Sequence, residues 1–251
     1  MKRTERRHLK RDELASSLQQ TFDTIDQNRR RITAALVAVV VVLAGIGGYL
    51  WWQRDREAKA GQRLGEALAI AEAPVAPVAT TGDQKPPAGS YPSERARNEA
   101  ALPKLLVAAE AYPRTSAGLS ARYRAAATLV ALGRDDEAAK RYQEVIDLAG
   151  ADMYGRMARL GLAEVKVRQK QYEAAINTYK ELSLNASDSL PVDGVLMQLG
   201  RTYVLAGRTP EAVQTFKRIT DEFPTSLYAA DARKELDVLA PGSNAARRTD
   251  S

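Results

Sequence analysis

The 251-residue chain contains no cysteine and a single histidine, His8. No disulfide framework, thiolate zinc site or cysteine nucleophile can be built from it, and one histidine in a charged N-terminal stretch argues against a His-based metal site or a Ser-His-Asp triad. Aromatic residues make up only 6%. With abundant alanine and clustered glycine and proline, this favours an all-helical protein over a sheet-rich one. Catalytic signatures are missing too: no P-loop, HExxH, GxSxG or strand-linked Gly-rich phosphate loop occurs. The carboxylate pairs Asp135/Asp136 and Asp221/Glu222 fall at expected helix starts or ends, and the first pair suits the positive end of a helix dipole. Asn185-Ala-Ser187 is a glycosylation sequon by spelling only. The expectation is a non-enzyme with no cofactor and no metal.

The net charge of +6 is unevenly spread. Residues 1–31 hold nine Lys/Arg against five Asp/Glu, and the other 220 residues hold 28 against 26. A nucleic-acid-binding protein would carry its basic stripe on the folded domain, whereas here the excess lies beside an apolar run, so no nucleic-acid partner is expected.

That run, Ile32 to Trp52, has 21 residues without a charge. As a helix it spans about 32 Å, the thickness of a bilayer core. Arg29, Arg30 and Arg31 bound it on one side and Arg54 on the other, with Tyr49, Trp51 and Trp52 suited to the interfacial aromatic belt. It is too long for a signal-peptide core, and no small-x-small cleavage site follows closely. The triple arginine and the short tail place the N-terminus inside, and a long downstream domain crosses regardless of its own charge. Ala44 and Gly48 form a small-xxx-small pair that could support helix dimerisation, although such pairs are common in Ala-rich spans. In the tail, Leu14, Leu18, Phe22 and Ile25 recur at helical spacing, fitting a short amphipathic helix on the membrane, a partner site or a solvated extension of the anchor.

The remainder repeats. Leu132-Gly-Arg-Asp-Asp-Glu-Ala-Ala139 returns as Gln169-Lys-Gln-Tyr-Glu-Ala-Ala-Ile176 and as Ala206-Gly-Arg-Thr-Pro-Glu-Ala-Val213. Small residues stand 37 apart at Ala101, Ala138, Ala175 and Ala212; larger ones follow in register at Leu105, Tyr142, Tyr179 and Phe216, then at Ala108, Val145, Leu182 and Ile219. Upstream, Ala126, Ala163 and Gly200 keep the same spacing. The unit is a helix-turn-helix in which small residues mark the crossing of two helices and large ones fill the wedge between units, because one helix pair cannot bury its own apolar face. Gly133 and Gly207 supply the turn, and Lys170 replaces glycine in the middle unit.

These residues resemble the tetratricopeptide-repeat (TPR) family over residues 94–239. The third unit matches best, with Leu199, Gly200, Tyr203, Ala212, Phe216 and Pro224 on the small, aromatic and closing-proline positions of the pattern. The spacing of 37 departs from the family's usual 34. The expected architecture is therefore all-α: a transmembrane helix at 32–52, then a TPR-type α-solenoid of about three and a half to four repeats over 53–240. Repeats fall at about 94–113, 117–150, 154–187 and 193–224, with a cap helix at 226–239 placing Tyr228, Ala232, Leu236 and Leu239 on one face. Residues 1–31 form a basic cytoplasmic tail and 241–251 a disordered one. The first unit is split, its first helix running from Arg54 to Ala71 and its second from Ser93 to Ala111. Between them, residues 73–92 hold five prolines and two glycines, a composition for a mobile loop or extended linker that is either inert or a docking segment.

The resemblance implies a concave protein-binding groove lined by the first helix of each unit. The matching positions are Tyr123, Arg124, Ala127 and Val130, then Leu160, Glu164, Val167 and Arg168, then Met197, Arg201 and Val204. The Lys/Asn/Arg clamp with which some TPR domains hold a C-terminal carboxylate is not reproduced. A mixed apolar and charged groove suits extended or partly unfolded segments. An enzyme hidden there would need a carboxylate site around Glu164.

A basic tail containing His8-Leu-Lys-Arg-Asp-Glu-Leu14, one anchor, a Pro/Ala insertion and a short TPR array together resemble the YfgM-like family, ancillary to the Sec translocon. That resemblance implies a bacterial inner-membrane protein with a periplasmic domain, whose partners are translocon subunits, periplasmic chaperones or client polypeptides in a chaperone-like role, homo-oligomers being possible. A structural scaffold for cell-envelope assembly is the alternative.

Overall fold

The computed structural model describes residues 29–76, 87–184 and 190–240. His8, the tail pattern at Leu14, Leu18, Phe22 and Ile25, the sequon at Asn185 and residues 241–251 lie outside the described residues. The chain divides into two compact units between Asp55 and Arg56.

The described part of the first unit is helical, residues 29–55 of helix α1 (Arg29–Ala71). Its apolar side chains are exposed, Val37 at 62% and Trp51 at 71%. Among the described residues this is the one helix long and apolar enough to cross a membrane.

The second unit contains residues 56–71 of α1, then α2 (Glu94–Ala111), α3 (Ser116–Ala131), α4 (Asp135–Ala149), α5 (Met153–Arg168), α6 (Tyr172–Leu184), α7 (Val192–Leu205), α8 (Thr209–Glu222) and α9 (Ala229–Leu239). From α2 onward each helix packs against the next, and α3 also reaches α5. The starts are locally encoded. The hydroxyl of Ser93 accepts the Ala96 N–H and that of Thr115 accepts the Gly118 N–H, while Pro210 occupies the first turn of α8, where its missing N–H leaves no helical bond unmade.

The turn inside each unit is built identically. Gly133, Lys170 and Gly207 all lie in the left-handed region, at φ 75°, 60° and 72°. Each donates its N–H three residues back, to Val130, Val167 and Val204, and the next residue donates five back, Arg134 to Leu129, Gln171 to Lys166 and Arg208 to Tyr203. This is the Schellman arrangement, which satisfies carbonyls that the helix end would otherwise strand. Lysine thus takes a backbone conformation that glycine adopts more cheaply.

The repeated small residues Ala126, Ala138, Ala163, Ala175 and Ala212 are wholly buried. Tyr142, Tyr179 and Phe216 are buried beside them. A Cβ added at Gly200 would stand 2.5 Å from the Phe216 ring, and one at Gly161 would stand 2.5 Å from the Tyr142 ring, so both glycines exist because an aromatic ring lies on the helix backbone. The core forms two main clusters. One joins Ala67 of α1 to Ala101, Leu105, Leu129, Tyr142 and Val145; the other gathers Tyr179, Leu196, Met197, Phe216, Ile219 and Ala232.

Two features differ from expectation. The described ends of the 73–92 insertion are tied together rather than extended: Val75 pairs with Tyr91 as a parallel bridge, with Ala76 N–H donating to the Tyr91 carbonyl and Tyr91 N–H to that of Pro74. Arg97 adds a contact from its guanidinium to the Ala73 carbonyl at 3.4 Å. The cap helix starts at Ala229, not Ser226, because the Ser226 hydroxyl accepts the Tyr228 N–H and donates to Asp193, fixing residues 226–228 as a turn.

Candidate protein-binding groove

The first helix of each unit after the split one is α3, α5 and α7, and the residues expected to line the groove lie on them. Tyr123, Val130, Leu160 and Val167 are half-buried; Arg124, Ala127, Glu164, Arg168, Arg201 and Val204 are exposed. Val130, Val167 and Val204 stand at the same place in successive units, 37 residues apart. They repeat one apolar contact along the array.

Met197 is a correction. It is 0% exposed, inside the core cluster with Tyr179 and Phe216. In α7 the residues Val195, Leu196, Met197, Leu199 and Gly200 are all buried, because this helix is enclosed by α6, by α8 and by the turn carrying Ser226 and Tyr228. Its register partners Tyr123 and Leu160 keep part of their surface free. Met197 packs the array and offers nothing to a ligand.

The charges are arranged by sign. Arg168 donates to Asp135 at 2.9 Å, Arg201 to Glu235 at 3.3 Å, and Arg124 lies 3.9 Å from Glu72. Arg168 therefore links α5 to α4 and Arg201 links α7 to α9, while Arg124 reaches the residue just past the end of α1. Gln169 to Asp136 and Arg208 to Glu173 continue the series of inter-unit bonds. Pairs this exposed contribute little to stability, typically below about 1 kcal/mol. Their consequence here is that the cations are occupied.

Glu164 is different. Its carboxylate has no hydrogen bond or ion pair among the described residues, although Arg168 follows it by one helical turn. Around it stand tyrosines from three helices. The rings of Tyr123 on α3 and Tyr142 on α4 are 5.6 Å apart, and the hydroxyl end of Tyr142 rests on Gly161, one turn before Glu164 on α5. Tyr179 of α6 packs in the cluster that contains Ala163. Burial, then the Tyr123 and Glu164 charges, raise Tyr142 well above the usual tyrosine range; burial and then Glu164 do the same to Tyr179. Tyr123 is raised by burial and by Glu164, with Arg124 opposing. Sequence periodicity finds the helix faces, but the pairing of the arginines and the convergence of these tyrosines depend on which helices become neighbours.

Two concavities lie elsewhere. One of about 370 Å³ is lined by Lys59, Arg63, Lys104 and Tyr112 among others, and one of about 350 Å³ by Lys180, Leu184, Leu199 and Arg218 among others. Neither includes a groove residue. Among the described residues, no cluster of His, Cys, Asp and Glu could hold a metal ion.

Stacked helix pairs with one repeated exposed face define a helical-repeat scaffold of the protein-interaction type. The model of the tetratricopeptide repeat-like domain matches residues 25–226, and the chain belongs to that family. Solved TPR-like repeats agree on the fold. TPR-like repeats of a putative kinesin light chain from Podosopora anserina are 13% identical, with a TM-score of 0.56 over 77% of this chain and 90% of that one. A tetratricopeptide repeat protein from Parabacteroides merdae is 17% identical, covering 57% and 54% with a TM-score of 0.47. YrrB, a TPR protein with an unusual peptide-binding site, is 22% identical, covering 57% and 67% with a TM-score of 0.43. Among curated proteins no match is found.

Proposed function

We propose that this is a membrane-anchored protein-interaction module of the bacterial inner membrane, with residues 1–31 in the cytoplasm, 32–52 in the bilayer and the repeat domain, 53–240, in the periplasm. There it assists the Sec translocon and its clients in a chaperone-like role, as the YfgM-like resemblance implies. The observation that carries the reading is the row of exposed apolar side chains from Leu36 to Trp52, in a chain that also holds a TPR array. An exposed apolar surface of this extent is unfavourable in water and favourable in lipid, and the arginines before it fit the inside rule. The groove on α3, α5 and α7, without Met197, is the surface assigned to client segments.

A reporter fused to the C-terminus should be active only outside the cytoplasm; activity of a cytoplasmic reporter would overturn the orientation and leave the repeat scaffold standing. Photo-crosslinkers placed at Tyr123 or Arg201 should capture translocon subunits and a broad set of secretory polypeptides. Capture of a few stoichiometric envelope proteins instead would assign the scaffold role.

A further inference from the structure

The groove has an uneven charge balance that its sequence alone does not disclose. Its three arginines, Arg124, Arg168 and Arg201, are committed to Glu72, Asp135 and Glu235, and its one acid, Glu164, is committed to nothing among the described residues. An anionic ligand would have to displace a carboxylate from an arginine. A cationic ligand finds a carboxylate already waiting.

The surroundings of Glu164 suit a cation as well. The Tyr123 ring is half-buried, and its electron-rich π system adds attraction for an ammonium or guanidinium. The rings of Tyr142 and Tyr179 are buried close by, at 4% and 1% exposure, and pack the units together. Ala127, Glu164 and Arg201 occupy one position in successive units, each three residues before a repeated valine. The apolar contacts are thus common to all units and the acid is confined to the middle.

We propose that the middle unit binds a lysine or arginine side chain of an extended polypeptide, with Glu164 as the counter-charge and Tyr123 as the ring beside it. The neighbouring Val130, Val167 and Val204 take apolar residues on either side of that cation. This rests on the groove being the client surface and adds the chemistry it selects. The preference is opposite in sign to that of a clamp for a C-terminal carboxylate.

The test uses the full chain in nanodiscs of zwitterionic phosphatidylcholine, so that lipid charge does not attract the probe. Three fluorescein-labelled nonapeptides of Ser, Gly and Leu, with a central Arg, Gln or Glu, are titrated by anisotropy. The Arg peptide should bind about tenfold more tightly than the Gln peptide, the combined size of an exposed ion pair and a cation–π contact. E164Q should cut the difference to the few-fold that the Tyr123 ring alone supplies while retaining binding of the Gln peptide, and E164K should favour the Glu peptide; circular dichroism checks that both variants fold. Equal binding of the Arg and Gln peptides to the unaltered protein, or an Arg preference undiminished in E164Q, overturns the cation site and leaves the groove intact. Binding of none of the three overturns both. A dimer in sedimentation that E164Q dissolves would identify the occupant as a second copy and overturn the foreign-peptide assignment.

Discussion

The middle unit, α5 and α6, and the third, α7 and α8, share one register and differ in how completely packing dictates their residues. In the third, the left-handed turn has glycine, the crossing has Gly200 beneath Phe216, and the arginine on the exposed face of α7 is paired with Glu235. In the middle, the turn has Lys170, the wedge residue Tyr179 carries a hydroxyl that packing does not need, and Glu164 has no partner among the described residues. Both units bury the crossing and wedge positions, Ala163 and Gly200, Ala175 and Ala212, Tyr179 and Phe216, and Leu182 and Ile219. Residues that face the stack are chosen by packing, and departures from the pattern concentrate in the unit that also presents the unpaired carboxylate.

Alkali should separate the two units most strongly. Tyr179 of the middle unit, like Tyr142 on α4 before it, ionises in the folded chain only well above the usual range, mainly because of burial, whereas Phe216 at the same position of the third unit has nothing to ionise. A raised folded pKa means that the neutral form is the one the fold favours. The resulting stability is fully present below the unfolded value of about 10 and is lost as pH rises towards the folded values. Absorbance at 295 nm should show these two phenols ionising only as the helical signal collapses, and Tyr142→Phe with Tyr179→Phe should move that collapse to higher pH. Early ionisation with the helices intact would show that the rings are not held as described.

Removing the third unit's wedge comes next. Phe216 is fully buried, and Phe216→Ala should cost about 3–5 kcal/mol in thermal or urea unfolding. In an array stabilised by nearest neighbours the loss should be local, exposing amides of α7 to α9 to hydrogen exchange before those of α3 and α4. Uniform loss across all units would mean the two core clusters unfold as one.

Much of this was readable in the sequence because it follows from a spacing. Small residues at 126, 163 and 200 and large ones at 142, 179 and 216 have to recur wherever identical pairs stack, and the family match and solved folds agree with that all-helical reading. What could not be read depends on neighbours. Met197 shares a register with Tyr123 and Leu160, yet it is fully buried in the cluster of Tyr179, Leu196 and Phe216. The arginines of the groove looked available, and each is bound to an acid 33 to 52 residues away in sequence. The insertion at 73–92 had the composition of a linker, and its described ends are joined by two backbone hydrogen bonds that composition cannot encode.

Gly200→Ala tests the crossing itself. The added Cβ would lie 2.5 Å from the Phe216 ring, so ring or helix must move, at a cost of about 1–3 kcal/mol. The equivalent position in the middle unit is Ala163, fully buried in the cluster that holds Tyr179. A Gly200→Ala protein that melts unchanged would show that the third unit, like the middle one, accommodates a methyl there freely.

The smallest effect is the most direct exchange between the units. Lysine at φ 60° has its Cβ close to its own carbonyl, costing about 1–2 kcal/mol, while glycine there forgoes that strain and gives back about 0.5–1 kcal/mol in unfolded-state entropy. Lys170→Gly should therefore raise stability by about 0.5–1 kcal/mol, and Gly207→Lys should lower it by a similar amount, both read as shifts in melting temperature. Nothing crowds a side chain at Gly207, so the comparison isolates backbone strain from packing. If Lys170→Gly instead destabilises the array, the lysine side chain must contribute more at that turn than its strained backbone costs. The middle unit's departure from the pattern would then be a packing solution of its own.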